Sequence, residues 1–190
     1  MQHFNYEERW REISCYVPVY DQEYGNCTEI WLDNAEKIKV PVKVENVTAH
    51  LAEVFSLNLS GLKKRYRRIL KKGKLVPLPL HPELVIVPLK VRNPIIRDDG
   101  ASGYAIFNRV TAYDVLCQED YLSKITLTNG LTLKTYHTLD TVEERLMAAE
   151  KALKKYRHLY LIKTTPDKPS KLEEGKVFYL VTDCPDFFKK

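Results

Sequence analysis

The sequence predicts an α+β fold, a single antiparallel, strand-rich domain with two or three amphipathic helices. Segments in which apolar and polar residues alternate favour strands, and segments with apolar residues three and four positions apart favour helices. The chain has 190 residues, of which 44% are hydrophobic, so it is long enough to enclose a core. We expect one domain over residues 1–190, and a boundary within residues 45–60 is left open.

The first forty-five residues are typical of short strands. Residues 14–20 are rich in β-forming side chains, residues 21–26 suit a turn, and residues 28–32 predict a second strand. Apolar residues then alternate with lysine and proline over residues 38–44, which predicts a third strand. Because Pro41 has no backbone N–H to donate, this strand belongs at a sheet edge or a bulge.

Two helical patterns follow. Residues 47–55 predict a helix that Asn46 caps, and residues 62–72 predict a second helix between an N-cap at Ser60 and a C-terminal Gly73. Every residue of the second helix outside its apolar stripe is lysine or arginine. Its outer face is therefore expected to be wholly basic.

The middle of the chain returns to strands. Residues 84–87 predict a buried strand that Pro88 ends, residues 92–103 predict a loop, and residues 104–116 are again rich in β-forming side chains.

A hairpin is predicted around Gly130. A three-residue loop with a bulge at this glycine sets Leu127 opposite Leu131, and Ile125 opposite Leu133. This pairing puts all four apolar side chains on one face, so we prefer it to a two-residue loop.

The last long pattern predicts a helix over residues 141–159, which begins with a capping box formed by Thr141 and Glu144. Residues 164–175 then suit a loop, and residues 176–181 predict a final strand.

The charge is strongly uneven along the chain. Residues 1–53 carry five basic and ten acidic residues, residues 54–97 carry eleven basic residues and one acid, and the remainder is balanced. No acidic residue occurs between Val54 and Pro82. Such an imbalance indicates an anionic partner.

The basic helix is the candidate binding element. Its cations repeat four positions apart, and each such pair costs about 0.2–0.5 kcal/mol on an isolated helix, which a polyanion would relieve. Acids of residues 1–53 could instead neutralise the helix, and an acidic protein or lipid surface is a third possibility. Tyr66 is expected in the core rather than stacked on a base. The candidate DNA-binding residues are Lys63, Lys64, Arg65, Arg67, Arg68, Lys71, Lys72, Lys74, Arg92 and Arg97.

Patterns for catalysis, metals and cofactors are poor, so we expect a protein that is not an enzyme. The histidines are scattered, and Asp98-Asp99-Gly100 suits a turn better than a metal. No run of eighteen apolar residues and no secretory signal occurs, which favours a cytoplasmic location away from membranes. Four cysteines without metal-ligand spacing are expected as reduced thiols: Cys15, Cys27, Cys117 and Cys184.

Two alternative functions are kept. The basic segment followed by residues 99–103 is faintly similar to the cyclic-di-GMP signature of PilZ domains, which would make the protein a nucleotide-sensing module. An RNA-binding module is the other alternative.

The order of features resembles the ComK family of competence transcription factors. Residues 125–132 are similar to that family's hairpin, although Val87-Pro88-Leu89 stands where the family has Phe-Pro-Thr. The other similar segments are residues 17–25, residues 54–63, residues 79–89 and the helix from Asp140 onward.

This resemblance implies a transcription activator that binds A/T-rich double-stranded DNA, largely through the minor groove, as a homodimer or a dimer of dimers. It also implies regulation of competence and an adaptor of the MecA type that delivers the protein to a Clp protease. Minor-groove binding suits clustered lysine and arginine, because a narrow A/T groove concentrates negative potential.

Overall fold

The computed structural model of the chain describes residues 4–71, 73, 75–118 and 120–160. Within these residues it has nine strands and four α-helices, so the predicted α+β, strand-rich class is confirmed. The helices are α1 (Tyr6–Arg9), α2 (Val44–Val54), α3 (Leu59–Leu70) and α4 (Leu139–Tyr160). The strands are β1 (Ile13–Asp21), β2 (Gly25–Leu32), β3 (Lys37–Val40), β4 (Leu78–His81), β5 (Leu84–Lys90), β6 (Ser102–Ile106), β7 (Val110–Gln118), β8 (Tyr121–Leu127) and β9 (Thr132–Thr135).

Two antiparallel sheets form the centre of the molecule. The large sheet has the strand order β3-β2-β1-β6-β5-β4, and the small sheet has the order β7-β8-β9. A short 3-10 helix, Phe107–Arg109, separates β6 from β7 and takes the chain from one sheet to the other. The β-rich segment predicted over residues 104–116 therefore contains parts of two strands that belong to different sheets.

Side chains alternate between the two faces of the large sheet, and a separate core lies on each face. Tyr16 and Ile86 belong to the core that α2 and α3 cover. Val85 and Val87 belong to the core that the small sheet covers. Helix α4 contributes to both cores, which places it against the β4 and β5 side of the large sheet.

The third strand is shorter than predicted. Strand β3 ends at Val40, and Val44 already begins α2, because the chain turns with a hydrogen bond from Val42 N to Val40 O at 2.8 Å. The expectation that this strand lies at a sheet edge is confirmed, although Pro41 itself follows the last residue of β3.

Strand β5 continues through Pro88 to Lys90, which corrects the prediction that the proline ends it. Pro88 lies opposite Tyr104 of β6, whereas β4 pairs with β5 only as far as Ile86. At Pro88 the strand therefore has a neighbour on one side alone, and a proline is tolerated in such an edge-like position.

The hairpin between β8 and β9 is confirmed in detail. Leu127 N donates a hydrogen bond to Leu131 O at 2.9 Å, and Ile125 lies opposite Leu133. Gly130 has φ +79°, the left-handed conformation that the bulge requires.

The predicted starts of α2 and α4 are wrong. Asn46 lies inside α2, whose N-cap is Lys43, and no side chain caps this helix. Helix α4 begins two residues before the predicted position, because the Thr138 hydroxyl accepts the hydrogen bond from Thr141 N at 3.4 Å.

Several expectations fall on residues outside the described ranges. These are the loop predicted over residues 164–175, the strand predicted over residues 176–181, and Cys184. Cys15 and Cys27 are buried and free. In the part of the chain that is described, no helix has the length and apolar character needed to cross a membrane.

Candidate nucleic-acid interface

The N-cap of helix α3 is Asn58, two residues before the predicted cap Ser60. The Asn58 side-chain oxygen accepts a hydrogen bond from Gly61 N at 2.9 Å, and the Ser60 hydroxyl donates to the same oxygen at 2.9 Å. Ser60 therefore lies inside the helix. Asparagine is among the best N-cap residues because its side chain satisfies backbone N–H groups of the first turn.

The C-terminal end also differs from the prediction. Lys71 ends the helix in the left-handed conformation, with φ 51° and ψ 38°, and its N–H donates to Arg67 O. Gly73 was expected to take this role, since glycine has no Cβ to clash in that conformation. The left-handed residue is instead a lysine, whose side chain extends the basic face past the last turn.

The inner face of α3 anchors it to the molecule. Leu62, Tyr66 and Leu70 are buried in the core that α2 and α3 cover, and Tyr66 is 0% exposed. The expectation that Tyr66 is a core residue is confirmed. The helix packs against β4 and α4.

The outer face of α3 carries four exposed cations. They are Lys64, Arg67, Arg68 and Lys71, whereas Lys63 and Arg65 are half-buried. Arg65 donates a hydrogen bond to the Tyr160 hydroxyl of α4 at 3.0 Å, and its guanidinium lies 5.8 Å from the ring centre. Lys72 and Lys74 lie outside the described residues.

A recess of about 480 Å³ lies in this face, lined by Gly61, Lys64, Arg65 and Arg68. Lys64, Arg65 and Arg68 therefore line one recess of the helix surface.

Carboxylates of the N-terminal third pair with other cations. Asp21 lies 2.7 Å from Lys39, and Glu29 lies 3.7 Å from Lys37. Likewise Glu12 pairs with Arg9 at 2.7 Å, and Asp33 pairs with Arg109 at 2.5 Å.

No carboxylate among the described residues lies within ion-pair distance of Lys63, Lys64, Arg65, Arg68 or Lys71. A salt-bridge layer between the N-terminal acids and this helix is therefore not formed within the described part of the chain. For these five cations, the described residues leave the positive charge available to an external anion.

Arg92 does not join the basic face. Its guanidinium donates to Gly100 O at 3.0 Å, Asp99 O at 2.7 Å and the Asn26 side chain at 2.7 Å, and it lies 4.4 Å from the centre of the Tyr20 ring. These contacts tie the Arg92 side chain to its own loop and to β2, and its role as a DNA contact stays a prediction. The partner residues lie up to 66 positions away in sequence, so no local pattern indicates them.

Arg97 begins a short 3-10 helix, Arg97–Asp99, in the same loop, and its side chain is not described. The Asp99 carboxylate accepts a hydrogen bond from the Tyr20 hydroxyl at 2.9 Å and lies 3.6 Å from Lys43 Nζ. The Tyr20 hydrogen bond, more than the Lys43 charge, lowers the pKa of Asp99. This carboxylate is therefore occupied within the fold, which gives no support to a cyclic-dinucleotide site at residues 99–103.

The described residues hold no group of three or more histidine, cysteine, aspartate or glutamate side chains placed to bind a metal ion. Comparisons with family models, with curated proteins and with solved structures each found no match. The interface is therefore defined by its own geometry, an anchored helix with an exposed, cationic outer face.

Proposed function

We propose that the protein is a DNA-binding transcription regulator that holds double-stranded DNA along the outer face of α3. The observation that carries this proposal is the charge environment of the helix. Lys64, Arg68 and Lys71 are exposed and have no carboxylate partner among the described residues.

The electrostatics favour a polyanion over a single small anion. Lys64 and Arg68 stand four positions apart, and Lys71 follows one turn later, so like charges face one another along more than one helical turn. DNA phosphates would replace this repulsion with attraction, and each neutralised phosphate releases condensed counterions. The apolar inner stripe keeps the helix fixed, so little conformational entropy is lost when DNA binds.

The finer features of this function rest on the resemblance to the ComK family. They are a preference for A/T-rich DNA through the minor groove, assembly as a homodimer or a dimer of dimers, activation of competence genes, a cytoplasmic location and recognition by a MecA-type adaptor. Exposed lysine and arginine are suited to the narrow A/T groove, because its negative potential is enhanced.

The test compares two double variants that lose the same charge. Lys64→Gln with Arg68→Gln removes two cations from α3, and Lys37→Gln with Lys39→Gln removes two from β3, at the other edge of the large sheet. Binding to an A/T-rich duplex is measured over a range of salt concentrations. We expect the α3 variant to bind more weakly and its salt slope to fall by about 0.9 for each phosphate that it no longer neutralises.

The β3 variant is expected to keep the salt slope of the unmodified protein, since Lys37 and Lys39 already pair with Glu29 and Asp21. Equal slopes for the two double variants would contradict the proposal. Competition with G/C-rich duplex and with structured RNA completes the test. Tighter binding to RNA than to either duplex would favour the RNA-binding alternative.

A further inference from the structure

The loop between β5 and β6 exposes two large aliphatic side chains. Ile95 is 80% exposed and Ile96 is 62% exposed. They follow Asn93 and Pro94 in the chain and precede Arg97. The two neighbouring isoleucines form a small apolar patch at the tip of a loop, and binding residues are common on loops.

Hydrogen bonds fix the base of this loop. Arg92 donates three hydrogen bonds, to Gly100 O, Asp99 O and the Asn26 side chain, at 3.0, 2.7 and 2.7 Å. Val91 N donates to Ala101 O at 2.9 Å, which closes the loop at its ends.

Hydrogen bonds fix the tip of the loop as well. The Tyr20 hydroxyl accepts a hydrogen bond from Ile95 N at 2.9 Å and donates one to the Asp99 carboxylate at 2.9 Å. Asp99 N in turn donates to Ile96 O at 3.0 Å. Both isoleucines are therefore held in place by their own backbones, which lowers the entropy lost when a partner binds them.

The loop lies on the face of the large sheet that α2 and α3 cover. Its anchor Tyr20 is four residues after Tyr16 on β1, so both side chains point to that face, and Tyr16 belongs to its core. Lys43, the N-cap of α2, lies 3.6 Å from Asp99 of the loop.

The C-terminal end of α3 points toward the end of the large sheet at which this loop lies. Phe55, which follows α2, stacks on His81 at 5.2 Å, and His81 lies at the end of β4 remote from the loop. Helix α3 starts shortly after Phe55 and leads to Leu78, the other end of β4, so it runs back toward the loop. Arg68 and Lys71 therefore lie in the half of α3 that is nearer to Ile95 and Ile96.

We infer that Ile95 and Ile96 form an apolar wedge that inserts between base pairs of a duplex held along α3. This inference rests on the proposed function and adds a second contact, which bends the DNA. Isoleucine is among the side chains that enter base steps from the minor groove and kink the duplex by 20–90°. Two isoleucines supply only a small part of the roughly 800 Å² per partner that a stable protein interface needs, so their size suits a base step better than a second protein.

The wedge predicts a preference among DNA sequences that needs no hydrogen bond to a base. Pyrimidine–purine steps such as TA and CA unstack most easily, whereas A-tracts are stiff. A duplex with a TA step beside the α3 contacts is therefore expected to bind more tightly than one with an A-tract in the same place.

The experiment measures DNA bending by energy transfer between dyes at the two ends of an A/T-rich duplex of about thirty base pairs. The full chain is compared with a double variant, Ile95→Ala with Ile96→Ala, and with Met147→Ala. Met147 is a matched control, because it is a large apolar side chain that is 64% exposed and belongs to α4 rather than to the loop. Thermal unfolding of each variant checks that the fold is retained.

We expect the unmodified protein and Met147→Ala to shorten the end-to-end distance, and the double variant to bind about tenfold more weakly without bending the duplex. The salt slope of the double variant should stay unchanged, because isoleucine carries no charge.

A duplex that is bound but unbent by the unmodified protein, or bent equally by the double variant, overturns the wedge and leaves DNA binding by α3 intact. A change in the molar mass of the double variant by light scattering, with bending unchanged, overturns it in favour of contact between copies of the chain. Failure of the unmodified protein to bind duplex DNA at low salt overturns both proposals.

Discussion

Arginine has two different environments in this protein. Arg68 lies on the outer face of α3 and is exposed, whereas Arg92 is half-buried and donates three hydrogen bonds within its own loop. A guanidinium that is already bonded to two carbonyl groups and a side-chain amide has little left to offer a phosphate. Whether a cation is available to an external anion is therefore decided by its neighbours rather than by its residue type.

The burial of His137 predicts that the stability of the protein depends on pH. Burial, together with the charges of Arg145 and Lys90, lowers the pKa of His137 to about 4, from an ordinary value of 6.5. Between these two pH values the unfolded chain binds more protons than the folded protein, so stability falls as the pH drops across this window. We expect His137→Gln to flatten this dependence.

Urea unfolding at pH 7.0, 5.5 and 4.5 provides the measurement for His137→Gln. The control is His158→Gln, at an exposed position of α4, which should keep the pH dependence of the unmodified protein. A His137 variant whose stability falls with pH as steeply as that of the unmodified protein would rule out this histidine as the source.

Helix α3 combines a buried apolar stripe with a C-terminal residue, Lys71, in the left-handed conformation. The apolar stripe was predictable from spacing alone, and it is what anchors the helix. Its ends were not predictable, because Asn58 and Ser60 are both good caps and only the path of the chain from α2 selects between them. The left-handed Lys71 likewise follows from where the chain must turn to reach β4.

Replacing this residue, Lys71→Gly, should change stability and binding in opposite directions. Glycine accepts the left-handed conformation without strain, so the free energy of unfolding should rise by roughly 0.5–1 kcal/mol and the melting temperature by about 1–4 °C. Loss of the cation should lower the salt slope of DNA binding by about 0.9 if Lys71 contacts one phosphate.

Lys71→Ala separates the two effects, since it removes the same charge but keeps a Cβ in the left-handed conformation. It should weaken DNA binding as much as Lys71→Gly does without the gain in melting temperature. Equal melting temperatures for the two variants would show that the backbone conformation at this position carries no strain.

Across the molecule, the two cores share the same structural elements. Strand β5 contributes Ile86 to one core and Val87 to the other, and α4 contributes Ala152 and Leu153 in the same way. Neither core can lose these elements without exposing the other, so we expect both to unfold together. The segments on either side of residues 45–60 are joined in one sheet, because β1 pairs with β6.

The two tryptophans allow this cooperativity to be measured, because Trp10 belongs to one core and Trp31 to the other. Each is replaced in turn, Trp10→Phe and Trp31→Phe, so that the fluorescence of the remaining tryptophan reports one core. In each variant we expect the fluorescence midpoint in denaturant to coincide with the midpoint from far-UV circular dichroism. Midpoints that differ within a variant would indicate separate units and would support a domain boundary.

The sequence was informative wherever a structural requirement is local. The hairpin at Gly130 was predicted with its register, because turn geometry and the alternation of four apolar residues depend on adjacent positions. The cationic face of α3 was predicted for the same reason, since helical spacing places Lys64 and Arg68 on one side.

The sequence by itself determined the strand-rich α+β class, the amphipathic basic helix and the acid-free surroundings of that helix along the chain. Only the tertiary structure decided that Asp21 and Asp33 pair with cations outside α3, that Arg92 holds its own loop, and that Ile95 and Ile96 are exposed on the face that carries α3. These properties depend on contacts between residues far apart in sequence, such as Arg92 with Asn26, which packing fixes and local periodicity does not encode.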